Sequence, residues 1–148
     1  MTITSPAFER GATIPLRFAR DGENVSPPLT IREVPSEAQS LALIMDDPDA
    51  PRGTFTHWVA FNLDPVDQQI PEAAVLTDAA RGRNSWNETF YGGPQPPSGE
   101  HRYIFHVFAL DRPLDLPNGA DRADVDHAMR DHILEHAELM ARFSSPRG

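Results

Sequence analysis

The chain has 148 residues, a net charge of −9 and a sequence pI of about 5.0, which fits one acidic domain with a single core. The negative charge disfavours nonspecific binding to nucleic acid or to an anionic membrane, and the absence of cysteine excludes disulfides and cysteine-ligated zinc. No apolar run reaches the roughly 20 residues that span a bilayer, and residues 1–10 lack a signal-peptide pattern, so a cytoplasmic location is expected.

Alternating and continuous apolar runs predict several strands. The run 40–45 is apolar at almost every position, which is typical of a strand buried on both faces. The predicted strands, in chain order, cover 13–18, 30–31, 40–45, 57–63 and 102–110. The stretch 66–97 is the longest irregular region, and a loop of that length in a compact domain usually has a function.

One helix is predicted near the C-terminus, with Asp121 or Asp124 as its N-cap. Five apolar residues then recur at helical spacing: Val125, Met129, Ile133, Ala137 and Met140. Strands followed by a late helix indicate a β-rich domain whose sheet is mostly antiparallel or mixed.

Three aspartates crowd the end of the apolar run 40–45, in the segment Asp46-Asp47-Pro48-Asp49-Ala50-Pro51. Carboxylates at the end of a buried strand are costly unless each has a partner or faces a cleft. The prolines restrict the backbone, so these carboxylates are held in place. His57 follows shortly, and it is best interpreted as one member of an acid–histidine hydrogen bond.

A second polar cluster, 92–103, is rich in glycine and proline and precedes the run 102–110. Gly92-Gly93-Pro94 could supply backbone N–H groups to an anion, although the prolines remove several donors. Ser98 lies three residues before His101, but no G-x-S-x-G elbow surrounds it, which disfavours a nucleophilic role. Two rigid polar loops joined to core strands predict one site built from distant parts of the chain.

Residues 132–136 match the pattern H-x-x-E-H, which on a helix would offer two imidazoles to zinc. Neither His132 nor His136 lies on the predicted apolar stripe, and only twelve residues follow His136. The motif is therefore interpreted as a chance match, and no metal or cofactor is predicted.

Three motifs in this order resemble the phosphatidylethanolamine-binding protein family. They are Asp47-Pro48-Asp49-Ala50-Pro51, Thr56-His57-Trp58-Val59, and Gly93-Pro94 followed by Gly99-Glu100-His101-Arg102-Tyr103. The resemblance runs from about Phe8 to Phe143, and the segments 21–29 and 128–134 are similar to the bacterial, Raf-kinase-inhibitor-like branch.

The resemblance implies a mainly β, single domain over residues 1–148. A central antiparallel sheet would be flanked by a smaller sheet, with helices at the periphery and one of them in the C-terminal region. It also implies a pocket at one end of the sheet for phosphate or a phosphorylated headgroup, Asp49 bracing the adjoining loop, and a cis peptide at Ala50–Pro51. The ligand-binding positions carried over to this sequence are Asp47, Asp49, His57, Gly93, Pro94, His101 and Tyr103.

The chain departs from the family at Gln95, where many bacterial relatives carry cysteine, and in the unusual segment 86–90, which is expected to reshape the mouth of the pocket. The long C-terminal helix of mammalian members is not found. A kinase-regulating role of those relatives therefore transfers poorly.

Three functions are compatible with these residues. The favoured one is non-catalytic binding of a small anion or a phosphoethanolamine-like ligand by His57, His101, Tyr103 and glycine-loop amides. The second is a phosphate-dependent interaction module that modulates a kinase or another protein partner. The third is a weak hydrolase with Asp47 and a histidine as an acid–base pair.

Asp47 is expected to fix the tautomer of one imidazole and to raise its pKa. Anion binding should then tighten as pH falls through the histidine range. The sequence leaves a homodimer open, with the residues around Trp86 and Phe90 as a candidate patch.

Overall fold

The computed structural model describes residues 1–146, which form eight strands, one α-helix and one short 3-10 helix. The helices are α1 (Arg122–Met129) and the 3-10 turn Leu16–Phe18. The strands are β1 (Thr2–Thr4), β2 (Leu29–Arg32), β3 (Ser40–Asp47), β4 (Phe55–Leu63), β5 (Gln68–Ile70), β6 (Ala80–Arg81), β7 (Glu100–Leu110) and β8 (Ile133–Ser144).

Two antiparallel sheets make up the fold. The central one has the strand order β6-β4-β3-β7-β8, and the smaller one has the order β1-β2-β5. The expected mainly β architecture, with a central sheet, a smaller flanking sheet and one helix in the C-terminal region, is confirmed.

Strand β3 is the middle of the central sheet, and all eight of its residues are buried. Alternate side chains point to opposite faces, so β3 contributes to two apolar layers. Leu41, Leu43 and Met45 pack in the layer shared with the smaller sheet. Ala42 and Ile44 pack in the layer covered by α1. Burial of 40–45 on both faces is therefore confirmed.

The predicted helical stripe is wrong beyond Met129. Asp121 caps α1 by accepting a hydrogen bond from the Asp124 N–H, and Val125 and Met129 are buried as expected. Asp131 then takes a left-handed conformation (φ 68°) and turns the chain into β8. Ile133, Ala137 and Met140 lie on that strand instead, with Ile133 exposed.

The competing period-2 pattern explains this outcome. In β8 the inward positions are Leu139, Ala141 and Phe143, which alternate with the half-buried Met140 and the exposed Arg142 and Ser144. With these residues facing inward, β8 pairs with β7 in a long antiparallel ladder. One further turn of α1 would form neither those hydrogen bonds nor that inward apolar row.

The predicted strand over 13–18 is also wrong. Thr13 makes only an isolated bridge to Arg142, and Leu16–Phe18 form the 3-10 turn. Pro15 precedes that turn and lacks an N–H for a ladder, which limits strand pairing here. No helix among residues 1–146 is long and apolar enough to cross a bilayer.

Candidate functional site

A cavity of about 190 Å³ lies at one end of the central sheet, where β3 ends and β4 and β7 begin. Its polar lining residues are Asp47, His57, Gln95 and His101, and its apolar lining residues are Ala50, Pro51, Phe55, Trp86 and Pro97. The two polar loops therefore converge on one site, as the sequence predicted.

Other cavities of similar or larger volume occur in the described part of the chain. One of about 200 Å³ lies beside Leu63 and Ala79, and one of about 360 Å³ lies beside Asn84 and Arg122. Neither is lined by histidine, so chemistry rather than volume selects the site at Asp47.

Asp47 and His101 form a short, buried hydrogen bond. His101 Nδ1 lies 2.6 Å from Asp47 Oδ2, and both residues are less than a tenth exposed. The other oxygen, Asp47 Oδ1, accepts the Asp49 N–H at 2.8 Å. Since a carboxylate accepts, the proton is on His101 Nδ1 and the free nitrogen is Nε2.

His57 is positioned by a β-bulge. Trp58 pairs with Met45 and Thr56 pairs with Asp46, which leaves His57 as the extra residue of β4. Bulges of this kind re-aim one side chain next to a site. His57 Nδ1 lies 2.7 Å from the Gly92 carbonyl oxygen, to which it donates.

The acid–histidine hydrogen bond predicted for His57 is wrong, because His57 bonds the Gly92 carbonyl and Asp47 bonds His101 instead. Burial lowers its pKa below the ordinary value of 6.5, although the Gly92 carbonyl and the charge of Asp47 act in the opposite direction. At neutral pH the ring is therefore uncharged and its Nε2 is an acceptor. The charge of Asp47 acts to raise the pKa of His57, as expected for an imidazole near this carboxylate, but burial outweighs it.

Tyr103 lies behind the two histidines. Its ring makes an edge contact with His57 and stacks near His101. The side chain is fully buried, and its hydroxyl has no hydrogen-bond partner among the described residues. Burial and then the charge of Asp47 raise the pKa of Tyr103, so the phenol stays a donor.

Gly92 and Gly93 do not offer their amides to a ligand. The Gly92 N–H donates to the His57 carbonyl at 3.0 Å, and the Gly93 N–H donates to Asn24 Oδ1 at 2.7 Å. A Cβ on Gly93 would lie 2.1 Å from the Phe18 carbonyl oxygen, so glycine serves close packing there. The predicted role of these two amides is wrong, because side-chain and backbone acceptors already occupy them.

Pro94 and Asp49 support the site from outside the cavity lining. The Pro94 carbonyl accepts the Arg20 N–H at 3.0 Å. Asp49 accepts from Arg102 Nε at 3.0 Å, from Arg102 Nη2 at 2.8 Å and from the Arg102 N–H at 2.8 Å. These bonds lower the pKa of Asp49 to about 2 and tie its loop to β7, in agreement with the predicted bracing role.

The predicted cis peptide at Ala50–Pro51 is wrong, because no described peptide bond is cis. The Gly53 N–H donates to the Ala50 carbonyl at 3.1 Å, which closes a four-residue turn. Pro51 is the second residue of that turn, a position that proline favours with a trans bond.

Trp86, from the segment predicted to reshape the mouth, builds the wall together with Asn84, which the sequence analysis missed. Trp86 makes edge contacts with Phe55 and His57, and the Arg20 guanidinium lies 3.9 Å from its ring centre. Asn84 is buried and bonds the His57 carbonyl and the Trp86 N–H. The expected contribution of the segment 86–90 to the pocket thus comes from Trp86. Nothing local in the sequence distinguishes Asn84 from an ordinary turn residue.

Asp46 lies on the opposite face of the sheet from the cavity. Its Oδ1 contacts Arg122 and accepts from the Thr56 hydroxyl at 3.2 Å, and its Oδ2 lies 3.4 Å from His106 Nε2. Burial raises its pKa, but His106 and Arg122 outweigh burial and lower it overall. This carboxylate is charged and saturated with partners.

Comparison with known proteins adds a family to this geometry. The family described as phosphatidylethanolamine-binding protein matches residues 4–144. A UPF0098 protein of Methanothermobacter thermautotrophicus is 47% identical in an alignment that covers 97% of this chain and 98% of that protein.

Two solved structures share the fold. A homologue of phosphatidylethanolamine-binding protein from Chlamydia trachomatis is 39% identical with a TM-score of 0.92. Escherichia coli YbcL, described as a member of the mammalian family, is 27% identical with a TM-score of 0.89. Each alignment covers 97% of this chain and 97% of the solved one. The chain belongs to the phosphatidylethanolamine-binding protein family, as the sequence motifs indicated.

Proposed function

We propose that the cavity binds a small phosphorylated ligand, such as a phosphoethanolamine-like headgroup, and does so without chemical turnover. The observation that carries this proposal is the way both imidazoles are fixed. His101 Nδ1 bonds Asp47 at 2.6 Å, and His57 Nδ1 bonds the Gly92 carbonyl at 2.7 Å. Each ring therefore keeps Nε2 for a ligand at the wall of one cavity.

The protonation states favour a ligand that brings or induces a proton. Both Nδ1 atoms carry a proton because their partners only accept. A neutral ring then presents a lone pair at Nε2, whereas a protonated ring presents a second donor. Phosphate oxygens require donors, so the bound state should hold His57 or His101 protonated, or the ligand should be the protonated monoanion.

Volume and wall chemistry match a headgroup rather than a whole lipid. At about 30 Å³ per water molecule, the cavity of about 190 Å³ holds roughly six waters. The faces of Phe55 and Trp86 suit methylene groups or an ammonium, and Asp47 adds a negative charge that also favours an amine. The family name points to the same ligand class.

Binding is favoured over hydrolysis because the cavity lining described here includes no serine, threonine, cysteine or lysine. Ser98, the candidate nucleophile, is exposed and does not line the cavity. The Asp47–His101 pair alone could act as a general base. A hydrolase would show turnover of generic phosphate or carboxylic esters that is lost in His101→Ala.

The test is an NMR titration of backbone amides and histidine side chains with inorganic phosphate, O-phosphoethanolamine and ethanolamine. In the wild type, the two phosphorylated compounds should give saturable shifts confined to His57, His101 and the loop 92–99. Ethanolamine alone should bind more weakly, and His57→Ala should weaken all saturable shifts.

Two results would overturn the proposal. One is the absence of saturable shifts with either phosphorylated compound at millimolar concentration. The other is an equal response in the wild type and in His57→Ala, which would place the ligand elsewhere. If only a phosphorylated peptide gave shifts, the protein-interaction alternative would replace the free-headgroup ligand.

A further inference from the structure

Two histidines and one glutamate meet on the face of the central sheet that bears Asp46. His106 of β7 pairs directly with Glu138 of β8, and His136 lies two residues before Glu138, opposite Phe108. Residues two apart on a strand share a face. The side chains of His106, His136 and Glu138 therefore point to the same side, away from the cavity.

The three facing atoms form a triangle whose shortest side is a hydrogen bond between the two imidazoles. His106 Nδ1 lies 2.8 Å from His136 Nε2, Glu138 Oε1 lies 3.7 Å from that His106 atom, and it lies 3.6 Å from that His136 atom. The point equidistant from these atoms is about 2.0 Å from each. Zinc–imidazole bonds are about 2.0–2.1 Å long and zinc–carboxylate bonds about 2.0–2.2 Å.

The rings are supported from behind. The second nitrogen of His106, Nε2, lies 3.4 Å from Asp46 Oδ2, and a carboxylate behind a ligating histidine is the usual arrangement at metal sites. Phe108 stacks on His136 with ring centres 4.3 Å apart and an angle of 11°, and it also stacks on His106. The two rings are therefore held side by side by this packing and by their mutual hydrogen bond, and an ion would displace the proton of that bond.

The geometry points to a binding site for a divalent first-row transition ion, with Zn²⁺ as the probe. Its ligands are His106 Nδ1, His136 Nε2 and the carboxylate of Glu138. Two imidazoles favour such an ion over magnesium or calcium. The Glu138 side chain is 47% exposed, which leaves a fourth position open to water or to a donor from another molecule.

This inference revises the sequence-based expectation of no metal. That expectation considered His132 and His136 on one helix. The strand β8 instead carries His136 to His106, while His132 Nδ1 bonds Asp111 at 3.0 Å. His132 is therefore a natural control, because it is close in sequence and outside the triangle.

The experiment is calorimetric titration of the untagged chain with Zn²⁺, for the wild type, His136→Ala, Glu138→Gln, His132→Ala and His101→Ala. The wild type and His132→Ala should bind one ion with the same affinity. Glu138→Gln should bind at least about tenfold more weakly, and His136→Ala should lose saturable binding. Both altered side chains are partly exposed, and amide spectra check that each variant is folded.

Three outcomes would overturn the inference. They are no saturable binding in the wild type, equal binding in the wild type and in His136→Ala, and loss of binding in His101→Ala but not in His136→Ala. The last result would place the ion in the cavity with Asp47 instead.

Discussion

Asp46 and Asp47 are neighbours in β3, yet their carboxylates face opposite sides of the central sheet and have different surroundings. Asp46 contacts Arg122, the Thr56 hydroxyl and His106. Asp47 bonds one histidine and one backbone amide, and it lines a cavity. A carboxylate saturated by a cation stabilises the fold, whereas one that orients an imidazole beside open space is suited to a ligand.

The comparison extends to the two histidines of β7. His101 and His106 are five residues apart, and each faces one of the adjacent aspartates. An odd spacing on a strand places them on opposite faces. The same end of the central sheet thus carries two acid–histidine pairs, one on each face. The residues that cover each face determine whether its pair stabilises the fold or is available to a ligand.

Removing the cation from the saturated side should have the largest effect. Arg122→Met leaves the buried Asp46 charge without its arginine, which should lower the free energy of unfolding by about 2–4 kcal/mol. Arg102→Met, whose partner Asp49 lies near the surface, should cost clearly less than Arg122→Met. Urea unfolding measures both; equal losses would contradict the assignment of Asp46 as the structural carboxylate.

The open side should respond to pH. Burial lowers the pKa of His57, so the free protein resists protonation and an anionic ligand raises that pKa on binding. Affinity for phosphoethanolamine should therefore increase as pH falls from about 8 to about 5, by up to about tenfold per unit for each proton taken up.

Calorimetry in two buffers of different ionisation enthalpy would measure this proton uptake. His57→Gln should flatten the pH profile. A wild-type affinity that does not change across this range would contradict the proposed protonation of the site. Without ligand, the same lowered pKa predicts that His57 reduces stability as pH falls below about 6.5, because the unfolded chain then binds the proton more readily.

How much of the fold and of the candidate site could be predicted from the sequence differs between regions. The apolar runs of β3 and β7 and the acid–histidine motifs indicated the central sheet and the meeting of Asp47, His57 and His101. The segment after Met129 could not be assigned, because its residues satisfy both helical and strand periodicity and only pairing with β7 decides between them.

Contacts distant in sequence explain the other errors. The Gly93 N–H donates to Asn24, which is 69 residues away, and no local sequence pattern predicts that hydrogen bond. The position of Trp86 depends on Asn84, whose side chain makes four hydrogen bonds that shape the loop. The error at Ala50–Pro51 has a local cause instead, because the hydrogen bond from the Gly53 N–H to the Ala50 carbonyl closes a turn that suits a trans bond.

Two buried tyrosines sharpen the comparison between satisfied and open polar groups. The Tyr91 hydroxyl donates to the Phe18 carbonyl at 2.8 Å, so Tyr91→Phe should cost about 1–2 kcal/mol of unfolding free energy. The Tyr103 hydroxyl has no partner among residues 1–146, so Tyr103→Phe should change stability by less than about 0.5 kcal/mol. Thermal unfolding distinguishes them; a larger loss for Tyr103→Phe would be inconsistent with an open hydroxyl.

A small effect that depends on pH is expected at Asp49, which ties the loop after β3 to Arg102 of β7. Its pKa is lowered from 3.8 to about 2 by Arg102, so its stabilising contribution is present above about pH 4 and is lost as pH falls toward 2. The stability difference between the wild type and Asp49→Asn should stay below about 1 kcal/mol and vanish near pH 2. A difference that grows on acidification would have the wrong sign.

The central claim is that the phosphorylated ligand binds on the Asp47 face of the central sheet and not on the Asp46 face. The most direct test is the phosphoethanolamine affinity of His101→Ala beside that of His106→Ala, with amide spectra to confirm folding. We predict that His101→Ala weakens binding at least about tenfold, which is the loss of one charge-assisted hydrogen bond. His106→Ala should bind as the wild type does. Equal losses in both variants, or a loss in His106→Ala alone, would contradict the claim.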